Sequence, residues 1–308
     1  MPNTVHVNGL SFAYRDEGDP AHVPIVLIMG LGAQLTTWPQ ELVDALVQRG
    51  LRVIRFDNRD IGESSKLHHA PPVNMAWVSV KFLLGIRPRA PYTLDDMAAD
   101  AAGVITELGL ESAHVVGASM GGMVAQLIAA HHSERVRSLT SIMSTTGEPN
   151  LRQAEFRLRL DFVRPRAPRQ DRESCISSSM AMWRRVGSPE FPAEEAWLRK
   201  RVELDFDRCY YPPGVTRHLL AVMAAPGRAE MLRSVRAPTL VIHGRDDPLV
   251  PLDGGEDTAA SIPGATLKVF EGMGHDLPLE LIPAIADLIV QHVRIAEERP
   301  LSTEVLAN

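Results

Sequence analysis

The sequence predicts an α/β protein with a mostly parallel, doubly wound sheet of eight strands and an inserted helical cap. Three observations predict this fold class. Short apolar runs alternate with segments of helical spacing, which is typical of parallel strands connected by helices. The alternation stops after Gly147 and resumes at Pro238. One apolar run also leads through a glycine-containing turn directly into a helical pattern. We therefore expect residues 1–147 and 237–308 to form the core and residues 148–236 to form the cap.

Six strands are predicted before the insertion. The first two are joined by Asn8-Gly9, a dipeptide typical of tight hairpin turns. The third and fourth are continuous apolar runs of the kind that is buried on both faces of a sheet. The strands cover residues 5–7, 10–14, 24–29, 51–56, 114–116 and 136–143, and the helices among them cover 38–48, 93–108 and about 120–132.

Residues 65–92 are the least regular part of the predicted core. Residues 75–84 are apolar enough for a short helix, and prolines flank this run on both sides. Two interpretations stay open, a packed surface loop and a flap beside the functional site.

The insertion is basic and its apolar residues follow helical spacing. Residues 151–236 contain 16 Arg and 1 Lys against 11 acidic residues, so the rest of the chain is acidic. We interpret the arginines as a solvated face that also pairs with the acidic core; steering of anionic substrates is the alternative. Beyond the insertion we predict strands over 238–243 and 266–270, helices over 253–261 and 278–295, and a frayed polar tail.

Composition and charge restrict the class of protein. The net charge of −6 argues against a nucleic-acid partner. The first 14 residues lack the pattern of a signal peptide, and no apolar run is long enough to span a bilayer, so we expect a cytoplasmic protein without membrane insertion. The two cysteines, Cys175 and Cys209, form neither a disulfide framework nor a metal-type pair. We expect no metal and no cofactor, and the oligomeric state is open, with a homo-oligomer as one alternative.

The turn after the fifth strand has the sequence Gly117-Ala118-Ser119-Met120-Gly121. A strand, a sharp Gly-x-Ser-x-Gly turn and a helix in this order are the setting of a nucleophile elbow. Such a turn lifts the hydroxyl of Ser119 clear of the sheet, and a Cβ at either glycine would collide with a neighbouring element. The alternative is a glycine-rich turn that only joins a strand to a helix.

A serine hydroxyl becomes a good nucleophile only when a base removes its proton, and the base is usually a histidine oriented by a carboxylate. Both partners are expected at strand ends downstream of Ser119. His275 follows the last strand in a Gly-Met-Gly-His loop. Asp247 is our choice for the carboxylate, since Pro248 ends the turn behind it, and the adjacent Asp246 is the reserve.

Acyl transfer also requires donors for the oxyanion of the tetrahedral intermediate. One donor should be the backbone N–H of Met120, the residue after the nucleophile. The other should come from the loop after the third strand, where Gly30-Leu31-Gly32 keeps the backbone open, and Leu31 N–H is the best candidate.

The motifs resemble the α/β-hydrolase superfamily over about residues 5–295. Within it, the chain resembles the aclacinomycin methylesterase type of carboxylesterase. That likeness is carried by Met29-Gly30, by the Asp-x-Arg-Asp-x-Gly-x-Ser segment from Asp57 to Ser64, by the elbow, and by Gly272 to Pro278. The resemblance implies an α/β-hydrolase fold, a triad of Ser119, Asp247 and His275, and an oxyanion hole formed by Leu31 and Met120.

The leading hypothesis is a serine carboxylesterase that acts on a small-molecule ester through an acyl-enzyme. Two alternatives are open. The same triad could catalyse carbon–carbon bond hydrolysis, lactone opening or perhydrolysis, or the fold could serve as a ligand receptor with little turnover. Epoxide hydrolysis and dehalogenation are not expected, because enzymes of that kind carry aspartate at the position of Ser119.

Overall fold

The computed structural model describes residues 3–70, 73–75, 77–78, 86–155, 157–159 and 171–298. It contains one eight-stranded sheet in the order β1-β2-β4-β3-β5-β6-β7-β8. Strand β2 is antiparallel to both of its neighbours, β1 and β4, and all other pairs are parallel. The strands are β1 (Asn3–Val7), β2 (Leu10–Glu17), β3 (Val23–Ile28), β4 (Leu51–Phe56), β5 (Ala113–Ala118), β6 (Val136–Ile142), β7 (Thr239–Gly244) and β8 (Thr266–Phe270).

Nine α-helices lie in the described ranges, together with three short 3-10 turns. The helices are α1 (Gln40–Gln48), α2 (Leu94–Glu107), α3 (Met120–His131), α4 (Arg172–Val186), α5 (Glu195–Arg208), α6 (Pro212–Ala224), α7 (Ala229–Leu232), α8 (Asp253–Ser261) and α9 (Ile282–Glu298). The 3-10 turns cover Leu35–Thr37, Ser133–Arg135 and Leu279–Leu281. No helix in these ranges is both long and apolar enough to cross a bilayer.

Helices cover both faces of the sheet. On one face, α2 and α3 bury Met97, Val104 and Val124 against the strands. On the other face, α1 and α9 bury Leu42 and Ile289. The predicted doubly wound α/β architecture is therefore confirmed, and the two cores explain why the central strands are apolar on both sides.

The direction of winding reverses between β3 and β5. From β3 the chain moves to β4 on one side, and it returns through α2 to β5 on the other side. Loops that follow the strands on either side of such a reversal diverge and leave a crevice at the carboxyl edge of the sheet. The loop after β3 and the turn after β5 consequently meet at this edge.

Several predicted boundaries need correction. The helix predicted from Trp38 begins at Gln40, because a 3-10 turn and Pro39 precede it. The last helix begins at Ile282 after a separate 3-10 turn, and it continues to Glu298, so residues 296–298 are helical rather than frayed. Of the apolar run 75–84, only residues 75, 77 and 78 are described, and all three are helical; the other residues of this run, and the end of the tail, lie outside the described residues.

The segment between β6 and β7 contains helices α4, α5, α6 and α7, joined by loops, in its described parts. Helices α4 and α5 form a small core of their own from Ile176, Met180, Leu198 and Val202. Trp183 and Trp197 pack against this core. Cys175 and Cys209 are not joined in a disulfide, and Cys175 is buried.

Candidate active site

The turn at Ser119 has the geometry of a nucleophile elbow. Ser119 has φ +56° and ψ −122°, a conformation that costs about 1–3 kcal/mol for a residue with a side chain. Two groups from β6 and the turn behind it fix the elbow: Ser119 N–H donates to the Ile142 carbonyl at 2.9 Å, and Ser144 Oγ donates to the Ser119 carbonyl at 2.8 Å. The strain is thus maintained by tertiary contacts at the predicted position.

The predicted elbow glycines lie where a side chain has no room. A Cβ at Gly117 would overlap the backbone of Gly121, and a Cβ at Gly121 would overlap the carbonyl oxygen of Ile28. The start of α3 can therefore lie directly against β3 and β5. This close packing brings the N-terminus of α3 to the carboxyl edge of the sheet.

The structure brings Ser119, His275 and Asp247 together in one hydrogen-bonded row. His275 Nε2 lies 2.9 Å from Ser119 Oγ, and His275 Nδ1 lies 2.7 Å from Asp247 Oδ2. Since a carboxylate only accepts hydrogen bonds, Nδ1 carries the proton and Nε2 is free to accept the proton of Ser119. The three residues follow the ends of β5, β7 and β8, and Ser119 lies more than a hundred residues before Asp247 and His275 in the sequence.

Asp247 and Asp246 have different surroundings. The second carboxylate oxygen of Asp247 accepts from Leu249 N–H at 2.9 Å and from Val250 N–H at 2.8 Å, and the side chain is buried. Asp246 is exposed and accepts from Gly272 N–H at 2.9 Å. The geometry therefore favours Asp247, and the reserve residue instead joins the two loops that carry Asp247 and His275.

His243, at the end of β7, supports the Asp247 loop and was not singled out from the sequence. The imidazole is fully buried, and its Nε2–H donates to the Val250 carbonyl at 2.8 Å. Burial lowers the pKa of His243, so the ring is neutral at ordinary pH. Its position directly before Gly244 at a strand end was the only sequence signal available.

The two predicted oxyanion donors lie close to Ser119. Met120 N–H belongs to the first residue of α3. Leu31 follows Gly30, where an added Cβ would lie only 3.0 Å from Ser119 Cβ. Neither amide donates to an acceptor among the described residues. Asn58 Nδ2 donates to the Met29 carbonyl at 2.9 Å and holds the base of this loop. Both amides therefore lack an intramolecular acceptor in the described part of the chain.

Side chains from α5 and α6 reach the loops around the site, and the sequence analysis missed this. Arg208 forms an ion pair with the buried Asp57, at 3.0 and 2.6 Å. Arg217 forms a second, bidentate pair with the buried Asp60, at 2.7 and 2.8 Å. The predicted pairing of insertion arginines with the acidic core is seen here, but the predicted solvated face is wrong for Arg208 and Arg217, whose side chains are only 10% and 5% exposed.

Asp60 and His218 in this region have pKa values below their ordinary range. Burial acts to raise the pKa of Asp60, but the hydrogen bonds from Arg217 and from Leu67 N–H outweigh it and hold the value below its ordinary range. Burial lowers the pKa of His218 on α6 to about 4. The aspartate is therefore charged and the histidine neutral at ordinary pH.

Comparisons with known proteins identify the class. Residues 23–280 match the family described as the alpha/beta hydrolase fold. The chain is 30% identical to the rhodomycin D methylesterase of Streptomyces peucetius over 297 residues, which cover 91% of this chain and 93% of that protein. It is 29% identical to the rhodomycin D methylesterase of Streptomyces sp. strain C5 with the same coverage.

A solved structure agrees with the fold. The meta-cleavage product hydrolase from Pseudomonas fluorescens IP01 superposes with a TM-score of 0.74 at 20% identity and covers 96% of this chain and 98% of its own. The chain therefore belongs to the α/β-hydrolase family. Of the predictions from sequence, the family, the likeness to a methylesterase subgroup and the serine hydrolase class are confirmed.

Proposed function

We propose that this chain is a carboxylesterase in which Ser119 is the nucleophile, His275 the general base and acid, and Asp247 the residue that orients the histidine. The observation that carries the proposal is the continuous row of hydrogen bonds from Ser119 Oγ through His275 to Asp247. A reactive hydroxyl requires a base within hydrogen-bond reach and a fixed tautomer of that base, and the row provides both.

In the acylation step, Ser119 Oγ forms a bond to the ester carbonyl carbon while its proton passes to His275 Nε2. The carbonyl oxygen becomes an oxyanion that accepts hydrogen bonds from Met120 N–H and Leu31 N–H. The intermediate then breaks the bond to the alkoxy group, and His275 returns the proton to the departing alcohol. Each oxyanion donor of this type contributes about 3 kcal/mol of transition-state stabilisation.

In the deacylation step, water takes the position of the alcohol. His275 accepts a proton from the water as it attacks the acyl carbon, and collapse of the second tetrahedral intermediate returns the proton to Ser119. The products are the carboxylic acid and the free enzyme. The reaction as written needs no metal or cofactor. No cluster of metal-ligating side chains lies in the described part of the chain.

A methyl ester is the first substrate class to test. Two relatives that match over nine-tenths of this chain are named rhodomycin D methylesterases. We propose that the present chain likewise releases methanol from the methyl ester of a small-molecule carboxylic acid.

Residues 148–236 are proposed as a cap over this site. Their described helices form a small core of their own, and they also contact the catalytic loops. His275 N–H donates to the Val186 carbonyl at 2.7 Å, at the end of α4, while Arg208 and Arg217 pair with the loop after β4. A segment attached to several site loops at once supports a role in shaping the substrate pocket.

The test is covalent labelling combined with a substrate panel. A fluorophosphonate followed by peptide mass spectrometry should modify Ser119, and Ser119→Ala should abolish both labelling and turnover. The panel contains methyl and longer alkyl esters, lactones and β-diketones, so that esterolysis is separated from lactone opening and carbon–carbon bond hydrolysis. A folded protein that neither reacts with the probe nor hydrolyses any ester would refute the proposal, and ligand binding without turnover would favour a receptor.

A further inference from the structure

Helix α6 brings one histidine between two loops of the candidate site. His218 is fully buried, and its Nδ1 accepts a hydrogen bond from Gly32 N–H at 3.2 Å. On the other side of the ring, Nε2 donates to the Arg59 carbonyl at 2.9 Å. The ring thus joins the loop after β3, which contains Leu31, to the loop after β4.

These two contacts fix the protonation state of the ring. Gly32 N–H can only donate, so Nδ1 must present a lone pair, and the Arg59 carbonyl can only accept, so Nε2 must carry the proton. An imidazolium would place an N–H against the Gly32 N–H and lose that hydrogen bond. The neutral form is maintained because burial is the main cause of the low pKa of His218, and the nearby Arg217 and Arg59 cations lower it further.

The hydrogen bond acts on the peptide unit next to the proposed oxyanion donor. Gly32 has φ +69°, a left-handed conformation that suits glycine, and its N–H belongs to the peptide bond with Leu31. Val215 lies three residues before His218 on α6, and a Cβ at Gly32 would be 3.0 Å from its Cγ1. One face of α6 therefore both packs on this turn and accepts its amide, which leaves the Leu31–Gly32 peptide little freedom to rotate.

Helix α6 is itself firmly attached. Arg217, adjacent to His218, forms the buried bidentate ion pair with Asp60. Gly214, one turn earlier, lies so close to the Asp60 carbonyl oxygen that a Cβ would overlap it. The imidazole consequently projects from a helix whose distance from the core is fixed on either side of the ring.

We propose that His218 is a positioning residue for the oxyanion hole: by accepting the Gly32 amide, it fixes the Leu31–Gly32 peptide and so restrains the adjacent Gly30–Leu31 peptide, whose Leu31 N–H then points at the oxyanion. This inference rests on the proposed esterase function. If His218 has this role, helix α6 of the insertion helps to position the oxyanion hole. His218 itself does not touch the reacting atoms.

Two substitutions separate the two hydrogen bonds of the ring. In His218→Asn, the side-chain oxygen can occupy the place of Nδ1 and accept the Gly32 amide, whereas the donor to Arg59 is lost. In His218→Gln, the side-chain NH₂ can replace Nε2 and donate to Arg59, whereas the acceptor for Gly32 is lost. Both variants are polar and smaller than histidine, so they should reduce the melting temperature by similar amounts.

The matched control is His292→Gln on α9. His292 is also a buried histidine, and its Nε2 donates to backbone carbonyls at Leu139 and Pro238, away from the oxyanion loop. Each variant is assayed for kcat and KM on the best ester from the panel, for thermal melting, and for inhibition by a trifluoromethyl ketone, which forms a tetrahedral oxyanion on the serine.

We expect His218→Gln to lower kcat by roughly 10- to 100-fold and to weaken inhibition by the trifluoromethyl ketone by a similar factor, with KM changed less than about 3-fold. His218→Asn should keep kcat within about 5-fold of the unmodified protein, and His292→Gln should lower only the melting temperature. Equal kcat and equal inhibition in the Asn and Gln variants would overturn the inference. Absence of ester hydrolysis by the unmodified protein would instead refute the proposed function.

Discussion

Asp246 and Asp247 are neighbours in the sequence with separate roles in the structure. Asp247 accepts from His275 and from two backbone amides, whereas Asp246 accepts from Gly272 N–H across two loops. The first therefore controls the tautomer of the base, and the second stabilises the loop that carries it. This difference leads to a prediction for each residue.

Asp247→Asn should lower kcat by about 10⁴-fold, because an amide in this place can donate to Nδ1 and favour the tautomer that cannot accept the Ser119 proton. Asp246→Asn should reduce kcat by less than about 5-fold, since an amide oxygen can still accept from Gly272 N–H. The measurement is steady-state hydrolysis by the two purified variants, with circular dichroism as the check on folding. If Asp246→Asn were the more damaging change, the assignment of the carboxylate would be wrong.

The sequence was sufficient to predict the residues of the triad row but not those that surround it. Ser119, Asp247 and His275 each follow an apolar run and lie in turns with characteristic residues, so local patterns locate them. Arg217 and His218 lie in the middle of a helix, where nothing local distinguishes them from other residues on its surface. Their partners, Asp60 and Gly32, are more than 150 residues away, and only the packing of the insertion on the core brings them together.

At the scale of single elements, the packing of α3 against the sheet depends on Gly121. A Cβ there would overlap the Ile28 carbonyl oxygen, so the helix could not keep its position. Gly121→Ala should therefore destabilise the protein by more than ~3 kcal/mol or prevent soluble expression. The control is Gly50→Ala: Gly50 has φ +85° but open space around it, so only backbone strain of about 1 kcal/mol is expected. Urea unfolding of both variants checks this, and similar losses would contradict the steric argument.

Arg217 on α6 and Asp60 in the loop after β4 should be strongly coupled in their contributions to the free energy of unfolding. Arg217→Met leaves the buried Asp60 without its partner and should cost about 3–5 kcal/mol. Asp60 has φ +70°, so Asp60→Gly relieves backbone strain, and the double variant should recover much of the loss. A double-mutant cycle from urea unfolding is expected to give a coupling of about 2 kcal/mol or more.

An exposed pair provides the comparison for that cycle. Arg245 and Glu271 lie 2.8 Å apart with half or more of each side chain accessible to solvent. Their coupling, measured with Arg245→Met and Glu271→Gln, should be clearly smaller than that of the buried pair, because water screens the charges. Equal coupling energies for the buried and the exposed pair would show that α6 is not anchored by Asp60.

For the whole molecule, the sequence predicted the architecture better than the boundaries. Short apolar runs predicted all eight strands, and the helical segments between most of them predicted a mostly parallel sheet. The ends of the helices were predicted less well, because they depend on neighbouring residues. Helix α1 begins only after Pro39, and the last helix, which contacts the sheet near its end, continues to Glu298. One such contact joins His114 Nε2 on β5 to Glu297 Oε1 in the last turns of α9, at 3.2 Å.

Stability should fall as the solution is acidified from neutral pH, because the fold buries neutral histidines. Burial lowers the pKa of His114 and of His218 to about 4 each. Between pH ~6.5, the ordinary value of the unfolded chain, and pH ~4, the unfolded state binds more protons than the folded state, so the free energy of unfolding decreases as pH falls. Above pH ~7 neither histidine contributes to the slope.

Each of these two histidines should remove about 2–3 kcal/mol of stability between pH 7.5 and pH 4.5. The measurement is urea unfolding at both pH values for the unmodified protein, for His218→Asn and for His114→Asn. Each variant is expected to lose less stability than the unmodified protein over this interval, by about that amount, because asparagine does not titrate. If a variant and the unmodified protein lost the same stability over this interval, the replaced histidine would accept a proton without loss of stability. For His218, that result would contradict the neutral, doubly hydrogen-bonded state assigned to the ring.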